Sequence, residues 1–218
     1  MFLGHFAVGF AAKPAAPRTS LGTLFLAAQF IDLLWPTFLL LGWERVRILH
    51  AARPGPPLEF LSYPWSHSLA LVLAWAALLG GLAWLFRRDG RSAGILGLLV
   101  LSHYLLDLVA HFPDLPLYPG GGPRLGLGLW GSPAASLVLE LGLFAAGLGV
   151  YLRSTRARDA LGRWGLVALA AFLLLIHLGN LSGPPPPSVA ALAWVGQAQW
   201  LLVAWGYWVD RHRTARTC

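Results

Sequence analysis

Six stretches of roughly twenty predominantly apolar residues, at about 20–43, 66–86, 92–111, 133–152, 161–181 and 188–209, dominate the chain. At a rise of about 1.5 Å per residue, each can cross the roughly 30 Å of hydrocarbon in a bilayer. Inside lipid every backbone N–H and C=O must be satisfied by the protein itself, and a helix does this within one segment. Of 218 residues, 57% are hydrophobic and 11% charged, whereas a soluble domain carries about a quarter charged residues. The expected fold is all-α: a polytopic membrane helical bundle of about six transmembrane helices, with 1–218 forming a single integral membrane domain. The N-terminal MFLGHFAVGFAAK adds a short apolar helix. Its basic residue follows the apolar stretch, the reverse of a secretory signal.

The basic residues predict orientation. Lys13, Arg18, Arg87, Arg88, Arg91, Arg153, Arg156, Arg158, Arg163, Arg211, Arg213 and Arg216 fall on one side, and Arg45, Arg47, Arg53 and Arg124 on the other. Twelve against four places both termini in the cytoplasm. The loop after His111 then faces outward, which in a bacterial inner membrane is the periplasm. The net charge of +7 is thus a topology signal, and no nucleic-acid partner is expected. Tryptophans near the run ends (Trp43, Trp65, Trp84, Trp130, Trp208) fit an interfacial belt. The single cysteine, Cys218, excludes an internal disulfide and a cysteine-based metal site.

Asp32, Asp107 and Glu140 lie inside apolar runs, where even low estimates put a carboxylate at about 2.5–3.5 kcal/mol of insertion cost. His103, Asp107 and His111 follow one another at four-residue spacing, a drift of only about 40° per step on a helix, so they share one stripe. His67 opens the second run, where the positive end of the helix dipole favours neutral imidazole. Counting helix rise from Lys13 brings His5 toward mid-membrane, and Gly4 and Gly9 would allow close helix packing. Polar groups from several helices therefore reach one depth, in the outer half of the bundle.

Imidazole nitrogen and carboxylate oxygen are the zinc ligands used when cysteine is absent. The expected metal ligands are His5, Asp32, His67, His103, Asp107 and His111, holding a divalent metal with zinc first. Glu140 and Asp32 are the candidate catalytic carboxylates. Glu44, Asp89, Asp159 and Asp210 lie beside arginines and read as solvated or paired charges; Glu59, His50 and His212 read as solvated. His177, with Asn180 nearby, reads as a structural hydrogen-bonding group, and Asp114 in FPDLP as turn chemistry.

GHFAVGF at the N-terminus, the Asp of FIDLLWP, the SHS of PWSHS and GLLVLSHYLLDLVAHFPDLPLYP resemble the bacterial membrane-bound metal-dependent hydrolase family, also described as inner-membrane hydrolases. The resemblance covers roughly residues 1–130. It implies functional roles for His5, Asp32, His67, His103 and Asp107. The family's acidic segment often has two acids and a histidine, where this chain keeps Asp32. The His-Arg half of its His-Arg-Gly-x-Thr-His-Ser motif is Tyr63-Pro64 here, and His111 is placed to substitute for a lost ligand. The histidine and acid pattern is also similar, more weakly, to that of zinc phospholipases C.

The expected function is a membrane-embedded metal-dependent hydrolase. Its substrate would be a lipid or lipid-linked ester or phosphoester near the outer leaflet, attacked by metal-activated water. The loop from Pro113 to Pro133, with its glycine run at Gly120–Gly122, is the expected lid. Two other classes draw on the same residues. A transporter or proton-coupled permease would use intramembrane Asp, Glu and His as a relay, and a non-catalytic membrane assembly protein would use them to fix helix packing.

Overall fold

The apolar runs fold as helices, and one of them is broken. In this computed structural model, which describes residues 1–50 and 54–216, α1 (Leu3–Ala11) is the short N-terminal helix. Arg53 and Cys218, used above for charge balance and cysteine count, lie outside the described residues. The first run divides into α2 (Leu21–Ala28) and α3 (Phe30–Leu40), bent by 57° about Gln29. A hairpin of β1 (Arg45–Ile48) and β2 (Leu58–Ser62) follows, then a single turn, α4 (Pro64–His67).

The long helices are α5 (Leu69–Arg87), α6 (Gly90–Ala110), α7 (Pro133–Ser154) and α8 (Ala160–Ser182), followed by α9 (Val189–Gln197) running into α10 (Gln199–Arg211). Among the described residues there are two further short pairs: β3 (Leu115–Pro116) with β4 (Arg124–Leu125), and β5 (Thr155–Ala157) with β6 (Arg213–Ala215). Among the described residues, α5, α6, α7, α8 and the α9–α10 pair are each long and apolar enough to cross a membrane, and α2–α3 adds a sixth if counted as one bent span. The all-α expectation holds for the bundle, with three two-stranded hairpins or pairings added outside the long helices.

Burial follows from this arrangement. α5 buries only Val72, while Leu73, Leu78, Leu82, Trp84 and Phe86 stay exposed, the surface a lipid-facing helix presents. α1 is the opposite case. Leu3, Phe6 and Phe10 are fully buried and pack with Phe25, Phe144, Tyr151 and Leu169 in one core. It lies so close to α7 that a Cβ on Gly147 would stand 2.2 Å from the Ala7 carbonyl oxygen, so glycine alone permits that approach. A second core joins Leu24, Ile31, Val72, Leu96 and Tyr104 across α2, α3, α5 and α6.

The two ends of the bundle differ chemically. At one, Lys13 Nζ donates to Asp210 Oδ2 at 2.9 Å and to the Thr19 carbonyl at 2.9 Å. At the same end the Arg213 guanidinium donates to Thr155 Oγ1 and to the Gly162 carbonyl. The opposite end carries the β1–β2 hairpin, α4 and the segment between α6 and α7. Met1 lies at this second end: its ammonium meets Asp107 Oδ1 at 2.5 Å. The first described residue is thus inside the bundle, one length of α1 away from Lys13.

Candidate metal centre

Four segments deliver the proposed ligands to one place. α6 presents His103 and Asp107 one turn apart on its buried face, with His111 as its C-terminal cap. α3 brings Asp32 in its first turn. Pro36 has no N–H, so the Asp32 carbonyl loses its partner four residues on, and Gln199 Nε2 meets it in a long 3.5 Å bond. His67 does not open a spanning helix as expected. It ends the one-turn α4, because Ser68 is extended and caps α5 by accepting the Leu71 N–H. α1 supplies His5, which is 1% exposed.

The donor atoms converge. His103 Nε2 lies 3.2 Å from Asp107 Oδ2 and 3.6 Å from Asp32 Oδ1. His67 Nε2 lies 3.6 Å from the same Asp32 oxygen and 3.7 Å from the same Asp107 oxygen. Four donors placed tetrahedrally at about 2.0–2.2 Å from an ion are roughly 3.3–3.6 Å apart. The four separations around this ring, 3.2–3.7 Å, are of that size; Asp32, His67 and His103 bring one donor atom each within 4.8 Å of one another, and so do His5, His103 and Asp107. His103 Nε2 is buried and makes no hydrogen bond, as expected of a lone pair reserved for another partner. On the other oxygen of Asp107, His5 Nε2 approaches to 3.1 Å and His111 Nε2 to 3.9 Å. This donor set could hold a divalent cation.

Three of the imidazoles are held through their Nδ1 atoms. The buried Ala28 carbonyl, left free of a helical partner at the end of α2 by the bend, accepts from His103 Nδ1 at 2.9 Å. Asp114 Oδ1 accepts from His111 Nδ1 at 2.8 Å and from the Tyr63 hydroxyl at 2.6 Å. Ser66 Oγ donates to both oxygens of Glu44 and so accepts from His67 Nδ1, at 2.6 Å. In each case Nδ1 carries the proton and Nε2 is left with its lone pair, the tautomer a metal requires. Burial, its main cause, pushes the His111 pKa down and so favours the neutral ring. Burial likewise pushes the Glu44 carboxyl up, against the hydrogen bonds from Ser66.

Two residues read as peripheral in the sequence therefore belong to the support of the site. Glu44 is 2% exposed, not a solvated loop charge, because the hairpin folds it under α4 onto Ser66. Asp114 holds an imidazole and a phenol in addition to forming a turn. Other expectations hold: Asp159 pairs with His212 at 2.7 Å, Asp210 with Lys13, and exposed Glu59 with Arg47 at 3.2 Å. His177 Nδ1 is 3.9 Å from Glu140 Oε2.

Glu140 takes a position different from that of a free base. Its Oε2 accepts the Phe2 and Leu3 N–H groups at 2.9 and 2.7 Å. Free N–H groups at a helix start need acceptors, and here a carboxylate from α7 supplies one and fixes the helix that carries His5. The sequence signal was present, since an acid in an apolar run demands a partner.

A cavity of about 440 Å³ opens above the cluster. Asp32, His67, Asp107 and His111 reach its surface, and Trp35, Phe60 and Trp130 wall it. His103, fully buried, lies behind them. Trp130 packs against His111, ring centres 4.0 Å apart and planes tilted by 40°. The glycine run expected to act as a lid is elsewhere: Gly120, Gly121 and Gly122 border a separate pocket of about 180 Å³ with Tyr63, Asp114 and Tyr118. The β3–β4 pairing turns that run away from the cavity, and only the Trp130 end of the loop reaches it.

Compared with known proteins, the chain matches no family model, and no curated protein or solved structure is significantly similar to it. The likeness to membrane-bound metal-dependent hydrolases rests on the quoted motifs alone.

Proposed function

We propose that the protein is an integral membrane metal-dependent hydrolase that cleaves a lipid or lipid-linked ester or phosphoester near the outer leaflet, with zinc the first candidate ion. The observation that carries this reading is the ring of Asp32 Oδ1, His67 Nε2, Asp107 Oδ2 and His103 Nε2, with neighbours 3.2–3.7 Å apart, beneath an open cavity. Asp32, His67, His103 and Asp107 would hold a divalent ion here, and such an ion would supply Lewis-acid chemistry, lowering the pKa of a bound water to about 7 and polarising an ester or phosphoryl oxygen. Asp32 is the least buried of the four, its side chain 24% exposed, and it takes the role of proton acceptor at the cavity surface. Glu140, also on the cavity wall, holds α1 and with it His5 in register. Trp35, Phe60 and Trp130 offer an apolar surface for the hydrophobic part of the substrate.

The same reading makes α2–α3 a sixth span and sets the molecule in a bacterial inner membrane. The end marked by Lys13, Arg87, Arg153 and Arg211 faces the cytoplasm, and the metal cluster opens toward the periplasmic side. It also places the protein with the membrane-bound metal-dependent hydrolases.

The test is elemental analysis of detergent-purified protein, followed by hydrolysis assays on phospholipids and lipid esters with loaded and chelated samples. Bound divalent metal and a chelator-sensitive hydrolysis are expected. A folded protein that neither contains nor takes up a divalent metal would remove the proposal.

A further inference from the structure

We propose that His177 and Glu140 bind a hydroxyl group of the lipid headgroup, on the wall of the cavity built by α7 and α8. This rests on the reading that the cavity receives a lipid and assigns that lipid a headgroup chemistry. Both residues lie beyond the stretch 1–130 that carries the family likeness.

α7 brings Ser136 and Glu140, four residues apart, to the cavity, and α8 brings His177 and Asn180, three apart. Residues at these spacings share a helix face, so each helix lays a polar stripe along a space also walled by Trp35, Phe60 and Trp130. Ser136 is already engaged, its hydroxyl donating to the Leu129 carbonyl. The other two are not. Glu140 Oε2 accepts the Phe2 and Leu3 N–H groups, while Oε1 takes no hydrogen bond among the described residues. His177 is 3% exposed, and its Nε2 is buried without a partner. Its Nδ1 stands 3.9 Å from Glu140 Oε2, beyond hydrogen-bond reach. Buried polar groups are paired as a rule, and a gap of this width between two of them is the size that one bridging group fills.

The chemistry of that group follows from the proton. On Nε2 it would be a buried donor with no acceptor, whereas on Nδ1 it faces a carboxylate. The wall therefore shows one donor, Nδ1–H, beside one acceptor, the Glu140 carboxylate. A single oxygen about 2.8 Å from each accepts from the first and donates to the second, which is what a hydroxyl does. An ammonium has donors only and leaves Nδ1–H unanswered, and a phosphate has acceptors only and meets Glu140 as a like charge.

The full chain in detergent micelles is titrated with short-chain phosphatidylglycerol, phosphatidylethanolamine and phosphatidylmethanol, whose headgroups end in a hydroxyl, an ammonium and neither. Native mass spectrometry counts bound lipid and metal together, and hydrolysis is assayed in parallel. Phosphatidylglycerol should bind about tenfold more tightly than the other two. His177→Phe, which keeps the ring bulk, should bring it down to the level of phosphatidylmethanol, and His177→Gln, which restores an amide, should recover part of the difference. Equal affinities in the unmodified protein, or a preference for phosphatidylethanolamine, would overturn the site. So would a phosphatidylglycerol preference that survives in His177→Phe, or a uniform loss of all three lipids in both variants, which would make His177 a packing residue. A preference that behaves as expected in a protein with neither metal nor hydrolysis would remove the hydrolase proposal and leave the headgroup site standing.

Discussion

Ser66 donates its hydroxyl to both carboxylate oxygens of Glu44, at 3.0 and 2.8 Å, and its backbone N–H to Oε1 at 2.7 Å. The same hydroxyl oxygen receives the His67 Nδ1 proton, so Glu44 orients a proposed ligand it never touches. Outer partners of this kind typically change metal affinity about 10–100-fold when removed. Glu44→Gln and Ser66→Ala should both weaken divalent-metal binding by about that factor. Equilibrium dialysis of the two variants checks this; wild-type affinity in Ser66→Ala would show that His67 needs no support.

His103→Ala and Asp107→Ala should lose tight metal binding and, with it, hydrolysis. Each removes a donor at the centre of the ring, buried where water cannot replace it. His212→Ala should leave both unchanged, because its partner Asp159 lies in an exposed pair at the opposite end of the bundle. Full metal occupancy in folded His103→Ala protein would make the stripe a packing feature.

Metal affinity should fall as pH falls. In the proposed centre the imidazoles would bind through Nε2 in the neutral form, so protons would compete directly for the donor atom, by about tenfold per pH unit for each ring that must shed a proton. Burial holds His111 below its ordinary pKa, which extends its neutral form to lower pH and delays its contribution to this loss. Zinc dialysis at stepped pH from about 8 to about 5 measures the slope; a pH-independent affinity would show that the carboxylates alone hold the ion.

Trp130→Ala should slow turnover of a lipid substrate while leaving the metal bound. The indole walls the cavity and packs on His111 without supplying a ligand. Deleting Gly120–Gly122 should have the smaller effect on turnover, since that run borders a different pocket. Steady-state kinetics with metal content measured in parallel distinguishes these outcomes, and the reverse ranking would restore the glycine run as the lid.

The bundle and the core of the site were legible because both depend on local pattern. Apolar length marked the spans, and the four-residue spacing of His103, Asp107 and His111 in an apolar run marked the stripe. Asp32 and His67 stood out for the same reason, as polar groups in lipid that needed a partner. Glu44 was not legible. Flanked by Trp43 and Arg45, it has the local look of a solvated charge, and its burial comes from a contact with Ser66, 22 residues away. The bend at Gln29 also left no mark, since neither glycine nor proline sits at the break. The role of Asp114 was hidden behind its turn-forming neighbours, two prolines.

That bend has a consequence for how site and backbone communicate. At 57° it leaves α2 and α3 as half-length segments within the apolar interior, with the Ala28 carbonyl accepting from His103. In the proposed centre this one imidazole would be held at both nitrogens, by the metal at Nε2 and by the main chain at Nδ1. An ion drawing electron density from Nε2 makes the Nδ1–H a stronger donor and tightens its hold on the carbonyl. Loading and unloading the proposed centre would therefore be felt as a change in the stiffness of the hinge between two short helices, the second of which also delivers Asp32.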